Sequence, residues 1–232
     1  MLNWLKADVL AETYRDPVSW AILAVDLFPI YALYQFGWDA GALVFLYWLE
    51  NVVIGAITLL RMGASSVSNG IAGSVAMLFI GPFFIFHYGM FCFVHGLFLV
   101  GFKEMGEGAA FDMFSPFGVF DYALGTGAHM PVFIGAIFAL QLALFLIDFL
   151  GRGQWRESDV VTEMGKPYGR IIVLHVGLFV GFAAMIALGQ PFIGVLGLIL
   201  LRALWGVYQT VRRHMALDDP EHTNKVDEAS RI

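Results

Sequence analysis

"YWLENVV", residues 47–53, decides how this chain is read. It lies between "GALVFL" (41–46) and "IGAITLL" (54–60), so Glu50 and Asn51 stand in the middle of an otherwise apolar run. About 20 apolar residues carry a helix across the roughly 30 Å hydrocarbon layer of a bilayer. An ionisable side chain at the centre of such a helix costs about 2.5–3.5 kcal/mol on insertion scales, so it turns toward other protein groups and marks a working site by default. A chain that keeps Glu50 there is expected to surround it with protein.

The composition agrees with a bilayer as solvent. Of 232 residues, 59% are hydrophobic and 14% charged, and mean hydropathy is +0.75. Soluble domains average about 45–50% apolar and about 25% charged residues. The single cysteine, Cys92, excludes an intramolecular disulfide. Net charge is −6, and the basic residues form no nucleic-acid patch. "MLNWLKADVLAETYRD" at the start lacks the apolar core of a cleavable signal.

Six spans are expected: Val18–Phe36, Ala40–Met62, Val75–Gly101 with Pro82 inside it, Pro131–Leu150, Gly169–Leu188 and Pro191–Gln209. Pro82 should kink the third span and free the Leu78 carbonyl. The fold class is therefore all-α, a polytopic transmembrane bundle of about six helices. Residues 1–210 form one transmembrane domain, opened by a short surface helix. Residues 211–232 form a disordered cytoplasmic tail. Lys6, Arg15, Arg61, Arg152, Arg156, Lys166, Arg170, Arg212 and Arg213 fall on one side of this arrangement. Lys103 stands on the other, beside Glu104, Glu107, Asp112 and Asp121. The positive-inside rule then puts both termini in the cytoplasm of a bacterial-type plasma membrane. The aromatic loop Phe102–Met130 lies outside, in the interface or capping the bundle.

Five spans place an ionisable group at similar depth: Asp26, Glu50 with Asn51, His87, His175 and Arg202. His95 is about 12 Å outward of His87. Asp148 is near a cytoplasmic end and should reach water. Tyr47, Asn51, Thr58 and Arg61 share one face of the second span, and Tyr88, Cys92 and His95 share one face of the third. Two carboxylates, Asp26 and Glu50, face one Arg202, so a purely structural ion pair leaves a charge for a proton, a protonated histidine or a cation to balance. The candidate catalytic residues are Glu50, His87 and His175. Candidate metal ligands are Glu50, His87, His95 and His175, with Asp26, Asn51, Tyr88 and Arg202 in support. Carboxylate and imidazole ligands suit zinc or iron. Haem on paired histidines is the weaker cofactor reading. His87 and His95 are too far apart along one helix to share a single ion easily. Cys92 reads as a packing residue, although Cys92 and His95 have the spacing of a two-ligand half-site. His129, His214 and His222 read as interfacial or solvated. Gly177 with Gly181, and Gly89 with Gly96, have the spacing of close helix packing.

"YWLENVVIGAITLLRM", "FFIFHYGMFCFVHGLF" and "RIIVLHVG" together resemble a family of multi-pass prokaryotic membrane proteins of unknown function. The residues carrying the likeness are Trp48, Glu50, Asn51, Phe86, His87, Tyr88, Gly89, His95, Gly96, Arg170 and His175. The resemblance points to the same residues as the depth argument and implies no reaction. A looser likeness is to the glutamate-dependent intramembrane proteases that process prenylated proteins. Glu50, Phe83 with His87, and His175 match their motifs. Asn51 replaces their second glutamate and Phe179 a later polar residue, which puts that activity in doubt.

The function classes left are a metal-dependent membrane enzyme acting on a small or lipid-soluble substrate, a proton- or ion-coupled transporter, a haem-binding electron carrier and a structural membrane subunit. The bilayer is the common partner. The absence of an internal repeat counts against the common transporter folds. The loop charges make one test immediate. A reporter fused after Arg213 is expected to read as cytoplasmic, and an external reading overturns the orientation.

Overall fold

The computed structural model describes residues 6–104, 115–169, 171–172, 176 and 204–215, and no strand occurs among them. The helices are α1 (Ala7–Thr13), α2 (Pro17–Phe36), α3 (Ala40–Ser68), α4 (Gly70–Glu104), α5 (Pro116–Gly125) and α6 (Met130–Leu144). Helical turns over 160–169 (α7) and 204–215 (α8) follow. Four helical stretches are long and apolar enough to cross a membrane: Pro17–Phe36, Ala40–Ser68, Gly70–Gly101 and Met130–Gly151. They mark a membrane protein with four such helices among the described residues, rather than the expected six. The expected fifth and sixth spans, with His175, Arg202, Gly177 and Gly181, fall outside the described residues apart from short pieces.

The chain divides into two units, Met1–Ile30 with Val176–Ile232, and Tyr31–His175. In the first, α1 is the expected short N-terminal helix. Asp16 starts α2: its carboxylate accepts from the Val18 N–H at 2.9 Å, and Pro17 takes the first helical position, where no N–H is needed. The same carboxylate pairs with Arg213 of α8 at 2.7 Å. Further along, the Asp26 side chain lies directly against Gly206, where any Cβ would collide with its Oδ2.

In the second unit, α3 is the helix around which the others pack. Of its most apolar window 61% is buried, against 22% for each of the Gly70–Gly101 and Met130–Gly151 windows. Asp39 caps it, accepting from the Ala42 N–H at 2.7 Å. At its other end α3 turns straight into α4 around Asn69, with Gly70 at φ +57°. The sequence reading ended this span at Met62 and left 63–74 as a loop. The helices instead continue, because Ser66, Ser68 and Asn69 bond back to the Gly63 and Ser65 carbonyls. At about 1.5 Å per residue α3 is about 43 Å long and α4 about 52 Å, so both outrun the hydrocarbon layer. Pro82 does not end α4, which runs through it as one helix.

The α3–α4 seam is close because glycines line it. A Cβ on Gly55 would meet the Tyr88 ring at 2.6 Å, and one on Gly96 would meet Trp48 at 2.9 Å. Gly89, by contrast, has open space around it and is not the packing site its spacing suggested. α5, capped by Ser115, lays Val119 on Gly96 and Tyr122 against Phe45, so this part of the expected outer loop is helical and packs on α3 and α4. Trp38 seals the turn before α6, donating to the Ala128 carbonyl at 3.0 Å and packing its ring at a tilt against Phe133.

After α6 the chain makes a wide helical turn over Phe145–Gly151 and a tight one over Gln154–Arg156. Asp159 then caps α7. Its carboxylate takes hydrogen bonds from the Thr162 hydroxyl and the Thr162 and Val161 N–H groups, which hold its pKa below the usual range.

At the hairpin a Cβ on Gly73 would run into the Ser66 carbonyl oxygen, which is backbone and has nowhere to go. Gly73→Ala is expected to destabilise the purified protein by about 1–3 kcal/mol. Gly89→Ala should be neutral or slightly stabilising. Thermal unfolding of the two variants in one detergent checks the contrast.

Candidate functional site

Hydrogen bonds tie α3 to α4 at the depth of the opening motif. The Trp48 indole N–H donates to the Cys92 carbonyl at 2.7 Å. The Tyr88 hydroxyl donates to the Asn51 carbonyl at 3.0 Å. Both acceptors are helical carbonyls with a spare lone pair, so each bond adds to the helix without breaking it. Leu46, Tyr47, Leu49 and Ile57 fill the surroundings and are all buried. Glu50 is 3% exposed and Asn51 9%. Glu50 has a polar partner. The Asn51 side-chain oxygen, fully buried, has no hydrogen-bond partner among the described residues. Buried acceptors of this kind are rare, because each forfeits its hydration without replacement.

The histidines expected beside Glu50 go elsewhere. His87 is exposed, its ring stacks on Phe83 at 5.2 Å and its Nδ1 bonds the Tyr168 hydroxyl at 2.9 Å. Tyr88 faces α3, and the residue before it is turned about 100° away. His95 is half-buried, with Nδ1 on the Phe91 carbonyl at 2.8 Å and its ring beside Phe91. No group of three or more His, Cys, Asp or Glu side chains able to hold a metal occurs among the described residues. Glu50, His87 and His95 are therefore not gathered as one ligand set, and His175 lies outside the described residues. Among the supporting residues, Asn51 and Tyr88 join at the seam. Asp26 belongs to the other unit, and Arg202 is outside the described residues.

A second polar cluster, centred on a residue the sequence reading passed over, lies at the far end of α3. Glu163 of α7 is completely buried. One of its oxygens takes the Ser158 hydroxyl and the Lys166 ammonium. The other is 3.9 Å from the Arg61 guanidinium, which lies 4.8 Å over the Phe149 ring. Asp148, expected in water, is 4% exposed and pairs with Arg152 at 3.4 Å, because the wide turn at 145–151 tucks it inward. Ser68 and Asn69 bind the Trp155 and Ser158 carbonyls at 2.9 and 3.0 Å and fasten this loop to the hairpin. The signal for Glu163 was present in the sequence: an acid three residues before Lys166, in a loop where Arg61 and Arg152 need anions. Its burial depends on the tertiary fold and has no local signature.

The sequence model of a family of unknown function (DUF6498) matches residues 8–223. No curated protein matches the chain. No solved structure matches it.

The buried carboxylate predicts its own cost. Glu163→Gln keeps the shape and removes the charge that Lys166 and Arg61 address. A loss of about 1.5–3 kcal/mol is expected, as for hydrogen bonds to a charged group. It stays below the cost of breaking a fully buried pair because Lys166 is half-exposed. Chemical unfolding of the variant measures it.

Proposed function

We propose that this chain, which belongs to the DUF6498 family, is a multi-pass membrane protein that exchanges a proton at Glu50 inside the bilayer, in the service of ion-coupled transport. One observation carries the reading: a carboxylate 3% exposed on the most buried of four apolar helices. Lipid would reject it, so protein must enclose it, and hydrogen bonds and glycine contacts close the neighbouring α3–α4 seam. Asn51, next in the helix, presents an acceptor at the same level. Trp48 and Tyr88 hold α3 against α4 on either side of this level.

Topology supports this reading. The Asp16–Arg213 pair joins the turn before α2 to α8, so both lie on one membrane face. The basic residues beside that pair, Arg15 and Arg212, support an orientation with this face in the cytoplasm of a bacterial-type plasma membrane.

The metal-dependent enzyme is the second reading. It now rests on Glu50 with His175, since His87 and His95 bond elsewhere. Metal analysis of purified protein separates it from the first.

Glu50→Gln tests the proposal. Infrared difference spectra across a pH titration of the wild type should contain a carboxyl band that vanishes in the variant, while the variant stays folded. If Glu50 serves only as a structural partner, no such band is lost and stability falls by about 3–5 kcal/mol instead. That second result overturns the proposal.

A further inference from the structure

Away from the seam, a second hydrogen-bonded pair lies at membrane depth, and this one is open to its surroundings. The apolar stretch Gly70–Gly101 of α4 is about 48 Å long, with His87 about 25 Å from its start and about 21 Å from its end. A hydrocarbon layer of roughly 30 Å includes His87 wherever it falls along this stretch. His87 is nevertheless exposed, and its hydrogen bond is the 2.9 Å contact between Nδ1 and the Tyr168 hydroxyl. Its Nε2 has no hydrogen-bond partner among the described residues. Lipid tails supply none.

Proton placement makes the pair bifunctional. When Tyr168 donates to Nδ1, the imidazole keeps its proton on Nε2, and the pair offers that N–H as donor and the phenol oxygen as acceptor. When Nδ1–H donates to Tyr168, the phenol O–H is the donor and Nε2 the acceptor. In both tautomers one donor and one acceptor are offered by neighbouring rings, whose centroids are 5.8 Å apart. The surroundings are apolar. Phe79, Phe83, Met90 and Val94 share the face of α4 beside His87 and are all exposed. The His87 ring stacks on Phe83 at an interplanar angle of 12°, an arrangement that another flat ring can extend.

We propose that His87 and Tyr168 bind the oxygen-bearing ring of a neutral, lipid-soluble molecule of the quinone class. The inference is independent of the reading of Glu50. Depth excludes a phospholipid head group, which stays at the edge of the layer. Acyl chains have neither donor nor acceptor. The described contacts of the two rings are with Phe83, Phe84, Tyr88 and each other, so a charged ligand would find no counter-ion there. A quinone carbonyl accepts from whichever group holds the proton, and a quinol hydroxyl donates to the other.

The test uses the full chain in phosphatidylcholine nanodiscs and tritiated decylubiquinone. Retention above that of empty nanodiscs should saturate. An equal concentration of decylbenzene, which has the ring and tail without oxygen, should not displace it. His87→Phe keeps a ring on the Phe83 stack and removes both nitrogens, and Tyr168→Phe removes only the hydroxyl. Each should raise Kd about 3- to 10-fold, the equivalent of one hydrogen bond, and the double variant should lose saturable retention. The decylbenzene arm needs no variant, so it decides the matter if a substituted chain fails to fold. Retention no greater than that of empty nanodiscs overturns the inference. So does displacement by decylbenzene, or an unchanged Kd in the double variant. A pair that only ties α4 to α7 would give the first of these results, with a lowered Tm in both single variants.

Discussion

The hydrogen bond from the Trp48 indole to the Cys92 carbonyl is the contact on which the second unit turns. Inside an apolar layer a polar atom has no water to fall back on, so a partner must come from the protein. Trp48 meets that demand across α3 and α4 and fixes their register at the same stroke. Tyr88 repeats it at Asn51, about one turn deeper. The glycines follow from this register. Gly55 must leave space for the Tyr88 ring, and Gly96 must admit both Trp48 and Val119. A larger residue at either position would push the helices apart and lengthen both hydrogen bonds. Lipid provides no hydrophobic drive between helices, so close contact and internal hydrogen bonds supply most of the association.

The polar residues of α3 fall into two groups with different physics. Arg61, at the hairpin end, is half-buried and surrounded by partners: Glu163, the Phe149 ring and the neighbouring Asp148–Arg152 pair. These groups carry both signs, and the cluster joins the α3–α4 hairpin to α7 and to the loop bound by Ser68 and Asn69. It has the character of an anchor. Glu50 and Asn51 lie among apolar side chains, and Asn51 keeps an acceptor unsatisfied. The anchor keeps an open acceptor of its own, since Glu163 Oε2 is buried with no hydrogen-bond partner among the described residues and meets Arg61 only at 3.9 Å.

Much of this was legible in the sequence, and what was not has identifiable causes. The apolar runs located α2, α3, α4 and α6, because the length needed to cross lipid is a one-dimensional property. The burial of Glu50 followed from the cost of any other arrangement. The helix beyond Met62 was not legible because Gly63, Ser65, Ser66 and Ser68 look like turn residues, whereas the Ser66 and Ser68 hydroxyls bond back to the Gly63 and Ser65 carbonyls. The partners of the histidines could not be read at all. His87 and Tyr88 are neighbours in sequence and point about 100° apart. Only the contact of Tyr88 with Asn51 and Gly55 decides which of them faces α3. Glu163 escaped notice for a similar reason, since its burial is made by α3 and the 145–151 turn rather than by its own helix.

Distance along α3 keeps the two polar groups from acting as one. Glu50 and Arg61 are separated by eleven residues, about 16 Å of helix. The contacts of the anchor run from Arg61 toward α7 and the hairpin, and none of the hydrogen bonds and ion pairs described for it involves Trp48, Tyr88 or Asn51. Sites more than about 7–10 Å apart without common partners respond to substitution almost independently. The surplus length of α3 therefore has a use. Its extra turns carry Arg61 toward the interface, where water can share the cost of its charge. Glu50 stays at a depth where no such help exists, and its partner must come from the protein.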